Sequence, residues 1–201
     1  MRMKQHTVID SPCGPLTLVA DDGVLCGLYM TDHRHRPPEE TFGPRTGPAA
    51  TPFAEVRDQL SAYFAGALTR FTVELRPHGT PFQRRVWAEL TRIPYGETRT
   101  YGRLAATLGN PRSSRAVGLA NGRNPISIII PCHRVIGSTG SLTGYGGGLH
   151  RKQQLLDLER HARGGGTPPV PPHPPTLHRA AATTACGNAG AADKRIGGNG
   201  A

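Results

Sequence analysis

The sequence predicts an α+β protein in three parts: a small α+β half over residues 1–79, a mainly helical half over 80–162, and a low-complexity tail over 163–201. Three observations lead there. β-rich runs parted by turn residues fill the first thirty positions. From residue 51 onward apolar residues recur at helical spacing behind cap signals. A hydrophobic fraction of 36% with 26 Gly and 19 Pro is low for a chain folded throughout, and Pro, Gly and Ala crowd the stretch past Gly164.

The elements follow in order. "TVI", "LTLVA" and "VLCGLYM" read as a strand meander separated by "DSPCGP" and "DDG". Residues 33–50, rich in Pro, charge and Gly, read as loop. Thr51-Pro52 predicts a helix start with Thr51 as N-cap, followed by Phe53, Val56, Leu60 and Phe64 on one face and closed by Gly66. "FTVEL" (71–75) reads as a further strand. Thr80-Pro81-Phe82-Gln83 is a capping-box pattern, with Phe82, Val86, Leu90 and Ile93 aligned behind it. Thr100 caps a helix carrying Tyr101, Leu104, Ala105 and Leu108, stopped by Gly109-Asn110-Pro111. Ser113 is expected to cap "SRAVGLAN", which makes a helix-turn-helix of the pair. Residues 150–162 read as a last helix. Beyond Gly164 the composition cannot bury enough apolar surface to offset its ordering entropy, so the tail is expected to be disordered.

Charge is distributed unevenly. Residues 1–83 carry 8 basic and 9 acidic side chains, and residues 153–201 carry 5 and 3, whereas residues 84–152 carry 11 and 2. A merely solvating surface mixes signs, so this segment is expected to attract a polyanion, of which nucleic acid is the commonest. No apolar run reaches the length of a membrane span, and "MRMKQHTVID" lacks the hydrophobic stretch of an export signal. The four cysteines show no CxxC pairing, so a reduced, cytoplasmic chain is expected.

The chemistry concentrates in "SIIIPCHRVIG" (127–137). Three isoleucines read as a segment buried on both faces, ending in a thiol, an imidazole and a guanidinium. A cysteine attacks as its thiolate, of which only a few per cent exists at neutral pH without help. His133 and Arg134 are candidates to favour it. Neighbours on an extended strand point to opposite faces, so Cys132 and His133 cooperate only if the backbone bends, and Pro131 marks such a bend. The histidine needs an orienting acceptor, and Glu159 on the last helix is the carboxylate of choice. A cysteine after an isoleucine run is more often plain core, and a Cys-His pair alone does not decide the matter.

"IPCHRVIG" and "RAVG", with the surrounding residues 86–159, resemble the signature of the O6-alkylguanine-DNA alkyltransferases, and "IDSPCGPLTLVADDG" extends the likeness to the N-terminus. The resemblance implies a ribonuclease H-like N-terminal domain and a winged helix-turn-helix-like domain that binds DNA and holds the active site. It implies DNA repair by direct reversal: Cys132 takes the alkyl group from guanine O6 once and is consumed. O4-alkylthymine is a second candidate substrate. His133 is then the water-relayed base, Glu159 its anchor, Tyr101 the proton donor to the leaving base, and Asn124 a hinge between DNA-binding helix and active site. The lesion must be turned out of the stack. Arg115 matches the finger that fills the vacancy, with Ser113, Ser114 and Arg112 beside it against DNA. Arg84, Arg85, Arg99, Arg103 and Arg123 are further candidates for phosphate contacts. Tyr145, Gly146, Pro131 and Val135 match the alkyl pocket. Some members carry a serine where this chain has Gly146, and "TGYGGGL" suggests room for groups larger than methyl.

The resemblance implies no cofactor, and a monomer acting on duplex DNA away from membranes. Cys13, Cys26, His33 and His78 do not match a zinc spacing, so no metal is expected. The alternative is an alkyltransferase-like protein that binds the lesion without transfer; proteins of that kind lack the acceptor cysteine. A Cys-His hydrolase that turns over repeatedly would need neither Arg115 nor the basic segment.

Overall fold

A computed structural model describes residues 3–164. The expected disordered tail therefore lies, but for Arg163 and Gly164, outside the described residues. β1 (Lys4–Ile9), β2 (Leu16–Asp21) and β3 (Val24–Met30) form an antiparallel meander in that order, with Ile9 opposite Leu16 and Asp21 opposite Val24. β2 and β3 are buried along their whole length. Leu16, Leu18 and Ala20 face the main core, while Val19 joins Cys26 and Tyr29 on the other face under Phe42. Phe42 belongs to a 3-10 turn, Glu39–Phe42, inside the expected loop, and stacks on Tyr29 at 5.6 Å.

β3 is a sheet edge, and its free backbone groups are paired from the second half. Leu28 N–H donates to Pro125 O and Leu28 O accepts from Ser127 N–H. That pairing locks the segment before the Pro-Cys-His-Arg run to the meander. The expected strand 71–75 does not form, and only Leu75 bridges Leu25. Gln59 on α1 (Phe53–Phe64) captures Thr72 instead, accepting from its N–H and donating to its hydroxyl. Phe71 consequently lies on Tyr63 rather than in the sheet. Thr51 does not cap α1 either; Pro52 holds the N-cap position, and the Thr51 carbonyl accepts from Gln5. Gly66, at φ +72, ends the helix as expected.

α2 (Pro81–Leu90) opens with the predicted capping box, Thr80 and Gln83 each bonding the other's backbone. α3 (Tyr101–Thr107) is capped by Thr100. Before α4 (Ser114–Gly122) the expected cap is replaced. The Asn110 side chain accepts from Arg112 N–H over a 3-10 turn, Pro111–Ser113, and Ser113 spends its hydroxyl donating to Asn110 O. Leu104, Ala105, Val117 and Ala120 are buried between α3 and α4. Trp87 donates its indole N–H to Ala120 O and ties α2 to α4. β4 (Arg99–Thr100) and β5 (Val135–Ile136) form a short parallel pair. α5 (Leu149–Arg163) lays Leu155 and Leu158 on the core, while Arg151 and Gln154 bond the carbonyls of Cys13 and Pro12. One cluster of buried side chains thus runs from the meander through α1 into α2–α5. No described helix is long and apolar enough to cross a membrane.

Candidate active site

The three isoleucines are not a strand. Asn124 folds them: its Nδ2 donates to Ile126 O and Ile130 O, and its Oδ1 accepts from Ile126 N–H. The chain between is driven through tight turns, with Ile128 at φ +70. A β-branched residue in that region is strained, by about 1–3 kcal/mol, and such strain gathers at functional sites. Cys132–Arg134 then forms a single 3-10 turn, the bend that cooperation between Cys132 and His133 requires.

Behind that turn sits a fully buried carboxylate. Glu159 Oε1 accepts from His133 Nε2 at 2.9 Å, from Tyr63 Oη at 2.7 Å and from Arg134 Nη2 at 2.8 Å. Its Oε2 accepts from Arg134 Nε and from Gly96 N–H, each at 2.9 Å. Burial alone would raise this carboxyl, but the His133 and Arg134 donors outweigh it and hold Glu159 well below the ordinary carboxylate range. Burial also pushes His133 down, against the pull of Glu159. The consistent state is Glu159 ionised and balanced by Arg134, with His133 neutral and donating Nε2–H to it. His133 Nδ1 is then a lone pair, buried and without a partner among the described residues. Arg134, expected to favour the thiolate, is turned away from it, toward Glu159 and Ile93 O.

Cys132 is 2% exposed. Asn124 Nδ2 donates to its Sγ at 3.0 Å. Burial pushes the thiol up, against the Asn124 amide, the Lys152 ammonium and the Ser127 hydroxyl, all of which favour thiolate. Lys152 is fully buried on α5 with no carboxylate partner among the described residues; its Nζ donates to Val135 O and Thr143 O. Desolvation brings it down to about 8, against the opposing pull of Cys132. Tyr101 donates to the same Thr143 carbonyl at 2.9 Å, with Lys152 Nζ 6.0 Å from its ring centre. Burial and the neighbouring Cys132 push the Tyr101 hydroxyl up.

A cleft of about 970 Å³ opens above this group, between α3, α4 and the glycine-rich loop. Tyr101, Arg115, Ser114, Tyr145 and Gly146 line it, together with Arg34, His35 and Arg123, and no described carboxylate does. Arg112 and Ser113 lie on the turn before α4, off the cleft wall. Pro131 and Val135 are buried beneath it. The loop's glycines do not leave free room at 146 and 147. A Cβ on Gly146 would come within 2.6 Å of the His33 ring, and one on Gly147 would strike Met30 and Tyr145. They permit close packing instead.

Sequence reasoning missed Lys152, Tyr63, Ser127, His33 and Asn121, which donates to Cys132 O and Gly144 O. Lys152 had a signal, since it shares the buried face of α5 with Leu155 and Glu159 at helical spacing. Among the described residues no group of three or more His, Cys, Asp or Glu is placed to hold a metal ion.

Two family models match the chain: "6-O-methylguanine DNA methyltransferase, ribonuclease-like domain" over residues 4–77, and the "DNA binding domain" of the same name over residues 81–161. A Mycobacterium tuberculosis protein named methylated-DNA–protein-cysteine methyltransferase is 54% identical over 158 residues, 79% of this chain and 93% of that relative. A Mycobacterium leprae protein of the same name is 56% identical over 153 residues, 76% of this chain and 90% of its own. The crystal structure of M. tuberculosis OGT in complex with DNA matches with a TM-score of 0.72 at 54% identity, covering 79% of this chain and 94% of that one.

Proposed function

The chain belongs to the 6-O-methylguanine DNA methyltransferase family, and from that membership and the geometry around Cys132 we propose that it repairs DNA by moving the alkyl group of O6-alkylguanine onto Cys132, once per molecule. The observation that carries this reading is the buried pair behind the thiol: neutral His133, held by ionised Glu159, with Nδ1 free to take a proton.

The Cys132 thiol proton passes through a water to His133 Nδ1, and Glu159 supports the imidazolium. Sγ attacks the alkyl carbon from the side opposite O6; the S–C bond forms as the C–O6 bond breaks, and the electron pair leaves with guanine. Tyr101 supplies a proton to the departing base. The thioether has no route back, so the reaction is stoichiometric.

The damaged nucleotide must first leave the stack, at a cost of a few kcal/mol. The cleft receives it, Arg115 enters the gap it leaves, and the small residues Ser114, Ala116 and Gly118 let α4 approach the minor groove. Arg34 and Arg123 add positive charge around the opening. The DNA-binding half is 80–162, with 1–79 as the scaffold that braces β3 against it. One copy suffices, because nucleophile, base and Arg115 come from one chain, and the buried free thiols suit a reducing cytoplasm.

Intact-mass measurement after incubation with an O6-methylguanine duplex tests the reading. The expected result is one added methyl per chain, mapped to Cys132 and absent from Cys132→Ala. Lesion binding with unchanged protein mass would instead identify a lesion-binding protein without transfer.

A further inference from the structure

We propose that Leu119 of α4 is a positioning residue that packs on the deoxyribose of the turned-out nucleotide and so holds the lesion outside the duplex; this rests on the alkyl-transfer reading above. A single exposed leucine needs no explanation, but this one is not scattered at random. Four large hydrophobic side chains are exposed among the described residues, and two of them, Leu119 at 66% and Leu149 at 49%, line the cleft above Cys132. α4 presents Arg115, Gly118, Leu119 and Gly122 to that cleft, the spacing of a single helix face, while Val117, Ala120 and Asn121 are buried behind it. The glycines keep the face low. A Cβ on Gly118 would already touch the Tyr101 ring at 3.7 Å, and one on Gly122 would lie 3.9 Å from Gly144 O. Leu119 is therefore the one bulky side chain on this face between Arg115 and the glycine-rich loop, about 6 Å along the helix from Arg115.

The chemistry of a nucleotide says what a leucine can touch there. Arg34, Arg115 and Arg123 line the cleft and no described carboxylate does, so it suits an anionic occupant. In the transfer reading the base travels down to Tyr101 and Cys132, and the phosphates stay with the arginines at the rim. The sugar lies between them, and its C–H faces are the least polar part of the backbone. An aliphatic side chain packs on those faces and leaves no polar group unpaired. A ribose would set its 2′-hydroxyl against the leucine instead, at the cost of an unmet hydrogen bond. The contact forms only when the nucleotide is out of the stack, so it offsets part of the unstacking cost, as apolar wedges do in minor-groove proteins. Leu119 carries no charge and moves no proton, and the chemistry of transfer stays with Cys132, His133 and Tyr101.

The test uses the full-length chain carrying Cys132→Ala, so that the lesion is bound without being consumed. Fluorescence anisotropy measures binding to an O6-methylguanine duplex and to the same duplex undamaged. Adding Leu119→Ala should weaken binding of the damaged duplex by about fivefold and of the undamaged one by less than about twofold. The salt slope should not change, because no charge is lost. Leu119→Met, which restores a long apolar side chain, should recover the difference, and Leu119→Asn should not. Replacing the damaged deoxynucleotide by its ribonucleotide should weaken binding by the Cys132→Ala chain and add little to the loss already caused by Leu119→Ala. The melting temperature should stay within about a degree, since the side chain is exposed in the free protein. Equal losses on damaged and undamaged duplex, a ribose penalty of the same size with and without Leu119, or binding curves that overlay would each overturn the proposal. So would a lowered melting temperature with binding unchanged. A wild-type chain that takes no methyl while these binding differences hold would count against the transfer reading and leave this one standing.

Discussion

Glu159→Gln is the sharpest perturbation the site offers, because the amide keeps the volume and removes the charge. Every hydrogen-bonding partner of this carboxylate is a donor: Tyr63 Oη, His133 Nε2, Arg134 Nε and Nη2, and Gly96 N–H. A glutamine presents one oxygen and one NH2. Whichever way it flips, the NH2 meets donors, and Arg134 is left charged at 6% exposure without its counterion. Breaking a buried pair from one side costs about 3–5 kcal/mol, more than a lost hydrogen bond because a desolvated charge remains. For a folded unit of this size that corresponds to a fall in melting temperature of roughly 6–20 °C. The pH dependence has a definite sign. The folded-state pKa of Glu159 is depressed, so its contribution is complete above the ordinary carboxylate pKa and disappears as pH falls toward the folded value. The gap in melting temperature between wild type and Glu159→Gln should therefore be widest near neutrality and narrow in acid. Methyl transfer should fall as well, since His133 loses the negative charge that supports its imidazolium. Calorimetry and single-turnover assays on the same preparation check both. A variant that melts within a degree of wild type at neutral pH would refute the assignment of a buried, ionised Glu159.

Asn124→Ala removes both the donor to Sγ and the clamp on the isoleucine turns, leaving Ile126 N–H unpaired and Ile130 O with Cys132 N–H alone; a loss of roughly 1–3 kcal/mol in denaturant unfolding and slower transfer are expected. Lys152→Met should slow transfer near neutrality, and wild type should lose rate above about pH 8 as Lys152 deprotonates, a limb absent from the variant's pH profile. Arg123→Ala should weaken binding to undamaged and damaged duplex alike and reduce the salt slope by about 0.9, whereas Arg115→Ala should reduce transfer more than binding, as comparison of affinity and single-turnover rate would show.

Much of the frame was legible because local signals and tertiary packing agree. Thr80 with Gln83, and Thr100 before Tyr101, cap helices whose apolar faces lie on the core. The failures share a cause: a side-chain amide captured backbone groups and overrode the local preference. Gln59 diverted the β-prone 71–75 segment, Asn110 displaced Ser113 as a cap, and Asn124 turned three isoleucines out of the strand their composition favours. Cys132, His133 and Glu159 could be named through their family pattern. The role of Arg134 could not, because its partner lies 25 residues further on and its position in the motif suggests the wrong neighbour. His33 and Ser127 are 94 residues apart, and no periodicity links them.

On the proposed reading, the burial of Cys132 runs against the usual design of a catalytic thiol, and single use explains why it is tolerated. An enzyme that cycles needs a thiolate poised in every turnover, so desolvation, which favours the neutral thiol, would slow each one. A protein that reacts once faces another hazard, loss of its one acceptor thiol to stray electrophiles. At 2% exposure and with its pKa raised, Cys132 stays protonated and shielded. The Asn124 donor is already aimed at it and the nearby Lys152 ammonium favours its negative charge, so little reorganisation is needed when the proton leaves. His133 is neutral for the same reason, and its proton affinity is held in reserve by a carboxylate that Arg134 already balances. The triad of Glu159, Arg134 and neutral His133 carries no net charge before reaction and a single positive charge after. That charge develops beside a sulfur turning negative, so the proton transfer creates an ion pair rather than an isolated buried charge.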